Sequence, residues 1–305
     1  MAGGIITSAS FAKSLWPGIN AWYQKEYSEF PVEWDKLFDK HTSRRAFEED
    51  VGVSGFGLAS EKPEGESISY DSERQGFITR YSHVVYALGF IVTREAVEDD
   101  LYDVVASRKA QGLAFSMRQT KEIVAANIYN TAFTGGPTYG DGVSLLNSAH
   151  PNMAGGTWSN ILATAADLSE ASLEQASIDI QGFTNDRGLK IVVKPQTLVI
   201  PYQLEFEANR IFKTVGRVGT NNNDINAIKE LGMFPGGIVV SHYLTDEDAW
   251  FIRTNAKHGM KYFERRKDEF DKDNDFDTEN AKYKATARYS FGNTEPRALF
   301  GTAGA

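Results

Sequence analysis

The chain has 305 residues, 41% of them hydrophobic and 24% charged, with a formal net charge of -9 and no cysteine. That size suggests about two folding units, and the 12% aromatic content argues against disorder. The lack of cysteine excludes disulfide frameworks, thiolate zinc sites and cysteine nucleophiles, and the negative balance opposes a dedicated nucleic-acid binder.

Residues 1–14 lack the basic start and apolar core of a signal peptide, and no run reaches the ~18 apolar residues of a membrane span. The chain is therefore expected to be made and used in a cytoplasm. Its first segment, Met1 to Asp50, is rich in aromatics, including Trp16, Trp22 and Trp34, and is broken by Pro17 and Pro31. Such side chains on short helices need burial, on the chain's own body or on a neighbour.

Val51 to Thr93 carries β-favouring runs around a polar stretch, Ser60 to Ser67, and reads as a long hairpin with Lys62, Pro63, Glu64 and Gly65 at its tip. Two strands alone are marginal in water, so a hairpin of this length has to pack on something else. A helix follows from Arg94 to Phe133, capped by Thr93 and stopped by Thr134-Gly135-Gly136-Pro137. It would be a spine of roughly 60 Å. Val97, Leu101, Val104, Leu113, Met117, Val124 and Ile128 mark its buried stripe, leaving Arg108, Lys109, Arg118 and Lys121 for solvent.

From about Thr138 to Asn255 helix and strand mix. Ser169 to Phe183 and Gln203 to Lys213 read as helices; Lys190–Val193, Thr197–Ile200 and Gly237–Val240 read as buried strands. In the last segment, Ala281 to Phe291 alternates Ala, Tyr and Phe with Lys, Thr, Arg and Ser, which gives one packed and one solvated strand face.

Chemistry-bearing motifs are scarce. The chain contains no phosphate-loop, nucleophile-elbow, zinc-protease or dinucleotide signature. His41, His83, His150, His242 and His258 lack metal-ligand spacing, so each reads as structural. Asp271, Asp273, Asp275 and Asp277 imitate the start of a calcium loop, but Phe276 stands where glycine must turn and Lys282 where a bidentate Glu belongs. Four like charges at that spacing suggest a solvated acidic loop. No catalytic, cofactor or metal residues are assigned.

Three ordered strings carry a family resemblance: Leu145-Leu146-Asn147-Ser148-Ala149-His150-Pro151 with Ser159-Asn160; Pro195 to Pro201 leading into Leu204 to Ala208; and Asp275 to Lys284, continuing through Arg288 to Gly292, Pro296-Arg297 and Phe300-Gly301. With them the chain resembles the major capsid (major head) proteins of tailed bacteriophages, in particular the Mu-like head subunit group. The resemblance implies an α+β chain with the capsid fold named after phage Hong Kong 97. Its parts would be an N-terminal arm (1–50), an extended hairpin loop (51–93), a peripheral domain with spine helix (94–164, spine 94–133), an axial domain (165–255) and a return to the peripheral domain (256–305).

The implied function is that of a non-enzymatic shell subunit, assembling through pentamers and hexamers into an icosahedral head around double-stranded DNA. Its partners would be copies of itself, a separate scaffolding protein, a portal and a decoration protein, with no membrane. Its place would be the virion, after assembly in a host cytoplasm. Trp16, Trp22, Trp34 and the tip residues Lys62 to Gly65 are the inter-subunit contact candidates, and the isolated chain is expected to be under-packed at arm and hairpin. The alternatives are a bacterial nanocompartment shell, a tail-tube subunit, and a hydrolase or lyase with a scattered carboxylate and histidine site.

Overall fold

The computed structural model describes residues 20–29, 31–95, 102–134, 140–216, 225–275 and 279–305, with side chains of 102–105 set aside. Trp16, Val97, Leu101 and Asp277 lie outside the described residues.

Two four-stranded sheets organise the chain. The first runs in the order β1 (Asp39–Thr42), β10 (Met260–Asn274), β11 (Ala281–Asn293), β4 (Val84–Val92), with β1 parallel to β10 and the other pairs antiparallel. The alternation of β11 works as its sequence suggests: Tyr283, Ala285, Ala287 and Tyr289 are buried. Against that face lie α1 (residues 20–29), α2 (Trp34–Leu37) and α3 (Tyr102–Asn130).

Two rows of rings cross the sheet beneath them. One joins Trp34 to Tyr262 (4.4 Å), Tyr262 to Tyr289 (6.0 Å) and Tyr289 to Tyr86 (4.7 Å). The other joins Tyr23 to Phe270 (4.6 Å), Phe270 to Tyr283 (6.1 Å) and Tyr283 to Phe90 (4.9 Å). Each such pair adds about 0.5–1.5 kcal/mol beyond its burial.

The opposite face of this sheet is charged, and here one expectation is corrected. Asp271 and Asp273 lie within strand β10, opposite Lys284 and Lys282 of β11, and Lys282 Nζ also reaches Asp275 at 2.5 Å. Lysines across the ladder neutralise the acidic column, which therefore forms a solvated strand instead of a loop. The basic face of β11 stays solvated at Lys282 and Lys284, as its alternation suggests.

The second sheet runs β12 (Leu299–Thr302), β9 (Trp250–Thr254), β7 (Pro195–Pro201), β8 (Ile238–Ser241), with β7 and β8 parallel. Its central stretches, Leu198–Ile200 and Trp250–Ile252, read as unbroken apolar runs because both faces are buried. Val199, Val239, Phe251 and Leu299 face the core under the first sheet, while Leu198, Ile200, Trp250, Ile252 and Phe300 face a second core. Around that second core lie α4 (Glu170–Gln181), α5 (Glu205–Lys213) and α6 (Ala227–Glu230).

A capping box starts α4. Ser169 Oγ accepts from the Ser172 amide (3.1 Å), and Ser172 Oγ from the Ser169 amide (2.9 Å). Leu173, Ala176 and Ile180 then fall on its buried side.

Other boundaries move. Of the proposed strand Lys190–Val193, only Lys190 makes a bridge, to Thr184, and Val192 is 83% exposed. The chain end does not stay with the first sheet, since β12 pairs with β9. The described spine helix is about 43 Å long at 1.5 Å per residue. Arg118 and Lys121 are not on its solvent side: Arg118 is 6% exposed, and Lys121 lies over the ring row. The helix is covered on two sides, by α2 and by the first sheet, so its buried arc is wider than one apolar stripe.

Candidate assembly interface

The hairpin consists of β2 (Phe47–Val53) and β3 (Gln75–Ser82). Its strands thus start and end earlier than the sequence suggests, and β4 belongs to the first sheet. His83 separates the two pairings: its buried ring bonds Ser290 Oγ (2.9 Å) and Ser43 Oγ (3.0 Å), pinning the chain where it changes sheet.

The hairpin root is locked to that sheet. Asp50 of β2 pairs with Lys261 of β10 and accepts from Thr294 Oγ1 (2.7 Å), whose oxygen lies 2.6 Å from the Tyr81 hydroxyl. Burial opposes ionisation of Asp50, yet the bonds from Lys261 and Thr294 outweigh it and hold the carboxyl below its ordinary value. Gly292 is required here, because a Cβ would lie 2.7 Å from the Tyr81 ring.

Beyond the root the chain projects. Residues 58–75 form a continuous exposed run, with Leu58 84% and Tyr70 89% accessible. Lys62, Pro63, Glu64 and Gly65 form the turn: Gly65 has φ 84°, which favours glycine, and the Glu66 amide donates to the Pro63 carbonyl at 3.3 Å. A tether joins the loop to the body. Arg187 binds the Asp71 carboxylate at 2.9 Å and the Ser72 carbonyl at 2.6 Å. Asp71 also accepts from the Gly57 and Ser72 amides, and these bonds, reinforced by Arg187, depress its pKa.

The N-terminal aromatics behave differently from the hairpin. Tyr23, Trp34, Leu37 and Phe38 are buried within the main core, and Trp22 packs partly buried against it. For the described part of the arm, under-packing is therefore corrected, because the sheet, spine and second sheet of the same chain supply the covering surface.

Polar groups fasten this junction. Glu122 of the spine accepts from the Glu33 and Trp34 amides (3.1 and 3.0 Å), capping α2, and Tyr23 donates to Asp268 at 2.5 Å. Lys121 Nζ sits over Trp34 (4.5 Å), Tyr262 (4.7 Å) and Tyr289 (5.3 Å). Desolvation pushes its pKa down to about 8, against the pull of Glu264 and Asp268. Burial likewise raises the Asp268 and Glu122 carboxyls. Nothing in the sequence marks this cage, since its rings come from distant strands.

Two of the familiar strings meet at Asn160. Its amide nitrogen donates to the carbonyls of Leu145 (2.8 Å), Pro296 (3.2 Å) and Leu299 (3.3 Å), while its side-chain oxygen lies 3.1 Å from His150 Nε2. His150 Nδ1 in turn bonds Asp141 at 2.6 Å. Next to this hub Arg297 spans Asp186, Glu295 and the Thr184 carbonyl over the Trp158 ring. The carboxylates are engaged, and the adjacent cavity holds about 50 Å³, against roughly 300–1,000 Å³ for a ligand site. The geometry is that of a structural joint. Among the described residues no group of His, Asp and Glu is placed to hold a metal ion.

A family model described as phage capsid protein matches residues 77–301. No curated protein matches the sequence. Among solved structures, a virus-like particle from Pyrococcus furiosus superposes with TM-score 0.55 at 12% identity, covering 94% of this chain and 98% of that one. Mycobacterium phage Che8 gives 0.54 at 13% identity, covering 90% and 93%. The procapsid of bacteriophage JBD30 gives 0.53 at 14% identity, covering 97% and 76%.

Proposed function

The chain belongs to the phage capsid protein family, a structural subunit with the Hong Kong 97-type fold, and on that premise we propose how it builds a shell. Copies associate as pentamers and hexamers through the part built on the second core (about 165–255, the axial domain), and hairpins fasten neighbouring copies. The shell encloses double-stranded DNA, forms in the host cytoplasm with a separate scaffolding protein, and joins a portal and decoration protein. The chain performs no catalysis. Residues 1–50 act as an arm whose described part is anchored on its own body, leaving Trp16 and Trp22 as the arm's contacts with neighbours.

The observation that carries this reading is the exposed apolar content of the hairpin loop, Phe56, Leu58, Ile68 and Tyr70, on a root fixed by a partly buried ion pair. A monomer gains nothing by holding such a surface in water, whereas a lattice of copies covers it and multiplies many weak contacts. Exposed Ile178, Val192, Phe206 and Leu231 supply equivalent surface on the axial part.

The test replaces Lys62-Pro63-Glu64-Gly65 by a two-residue turn. Unchanged circular dichroism and thermal unfolding with lost particle formation are expected. Normal particles from this variant would contradict the fastening role.

A further inference from the structure

The first sheet ends on an edge that is dangerous in a monomer. β4, Val84-Val85-Tyr86-Ala87-Leu88-Gly89-Phe90-Ile91-Val92, carries no charge and no proline, and Val84, Val85, Leu88 and Ile91 are each about half exposed. Soluble proteins guard long apolar edges with charges, proline, bulges or a covering element. Among the described residues, the guard is Lys109 Nζ, which donates to the Ile91 carbonyl at 3.0 Å. That bond identifies the odd-numbered residues as those whose peptide groups face away from β11, since successive residues alternate sides. The peptide groups of Val85, Ala87 and Gly89 therefore point outward.

The same chain holds a segment of matching character. Residues 67–70, Ser-Ile-Ser-Tyr, alternate polar and apolar with period two, yet have no strand assignment, and Ile68 and Tyr70 are 55% and 89% exposed. The charges match as well. The loop is acidic around this segment, with Glu61, Glu64, Glu66 and Glu73, while the spine beside β4 carries exposed Arg108 and Lys109.

We propose that residues 66–71 of one copy add as a fifth strand to β4 of a second copy, extending its first sheet by main-chain hydrogen bonds. Ile68 and Tyr70 would cover Val84 and Leu88, which share the Tyr86 side of β4, and the acidic loop would meet the basic border. This mode of recognition takes affinity from the backbone and specificity from alternate side chains. It rests on the shell reading above and specifies how the fastening is made.

The native chain has no cysteine, so engineered thiols report unambiguously. Full-length Ser67→Cys or Ser69→Cys copies are co-assembled with Ala87→Cys copies and oxidised, with Val192→Cys copies as control. Disulfide-linked dimers of the loop and β4 variants, absent with position 192, are expected. Ala87→Lys, which places a charge on the solvent side of the edge, should fold normally and yield about tenfold fewer particles, the loss that weakening one strand pairing produces. Particles that form without any 67–87 or 69–87 link, or normal yields from Ala87→Lys, overturn the strand addition and leave the shell reading standing. Failure of the unsubstituted chain to form particles counts against the shell reading itself.

Discussion

Lys121 shows how much a single buried charge can control in this chain. Its ammonium is held by ring faces instead of by a direct carboxylate contact, and desolvation lowers its pKa from 10.5 to about 8. The sign of the pH effect follows from proton counts. Between those two values the unfolded chain keeps the proton and the folded chain has released it, so stability rises with pH across that window. Comparing chemical unfolding of the parent chain and Lys121→Met from pH 8 to 10.5 should show the parent gaining stability relative to the variant, while the buried tyrosines, whose raised pKa values make stability fall as pH climbs, act equally in both. An identical profile in both would remove Lys121 as its source. At this scale the sequence is least informative: its helical stripe places Lys121 and Arg118 in solvent, because a helix covered from two sides buries positions that one-sided periodicity leaves out. Trp34 was visible as an aromatic needing burial, but the origin of its cover lay in β10 and β11, more than two hundred residues along the chain.

Among the elements, the hairpin loop has one attachment that can be cut without touching a core. Arg187→Ala removes the bonds to Asp71 and Ser72. Because both side chains are partly exposed, global stability should stay close to the parent's. The loop should nevertheless be cut faster by a glutamate-specific endoprotease at Glu64 or Glu66 in the unassembled chain, since freed backbone samples the extended form a protease needs. Equal cleavage rates would show that the tether does not restrain the loop. Elements whose signal is local were legible: α4 from its serine cap and apolar spacing, the spine from its length, β11 from strict alternation, and the hairpin tip from its turn residues. β10 was not, because its column of aspartates makes sense only beside the lysines of β11. The edge character of β4 was hidden too, since the strand reads as the second arm of the hairpin until the pairing of 75–82 with 47–53 is known.

At the scale of the molecule, the second sheet is a wall shared by two cores, with Leu198 and Val199 on opposite sides of it. The sequence-level division at residue 255 is therefore not a clean boundary, because β12 at the chain end completes this wall. Two of the ordered strings converge on Asn160 and the third is strand β7, which gives the family likeness a physical basis in the joint and the wall. The hairpin loop, β4 and the part built on the second core each expose apolar side chains, and the proposed lattice would cover them with other copies. Electron microscopy of the purified full-length protein tests this directly. Closed shells of uniform diameter are expected; stacked-ring tubes, or a chain that stays monomeric at every concentration, would contradict it.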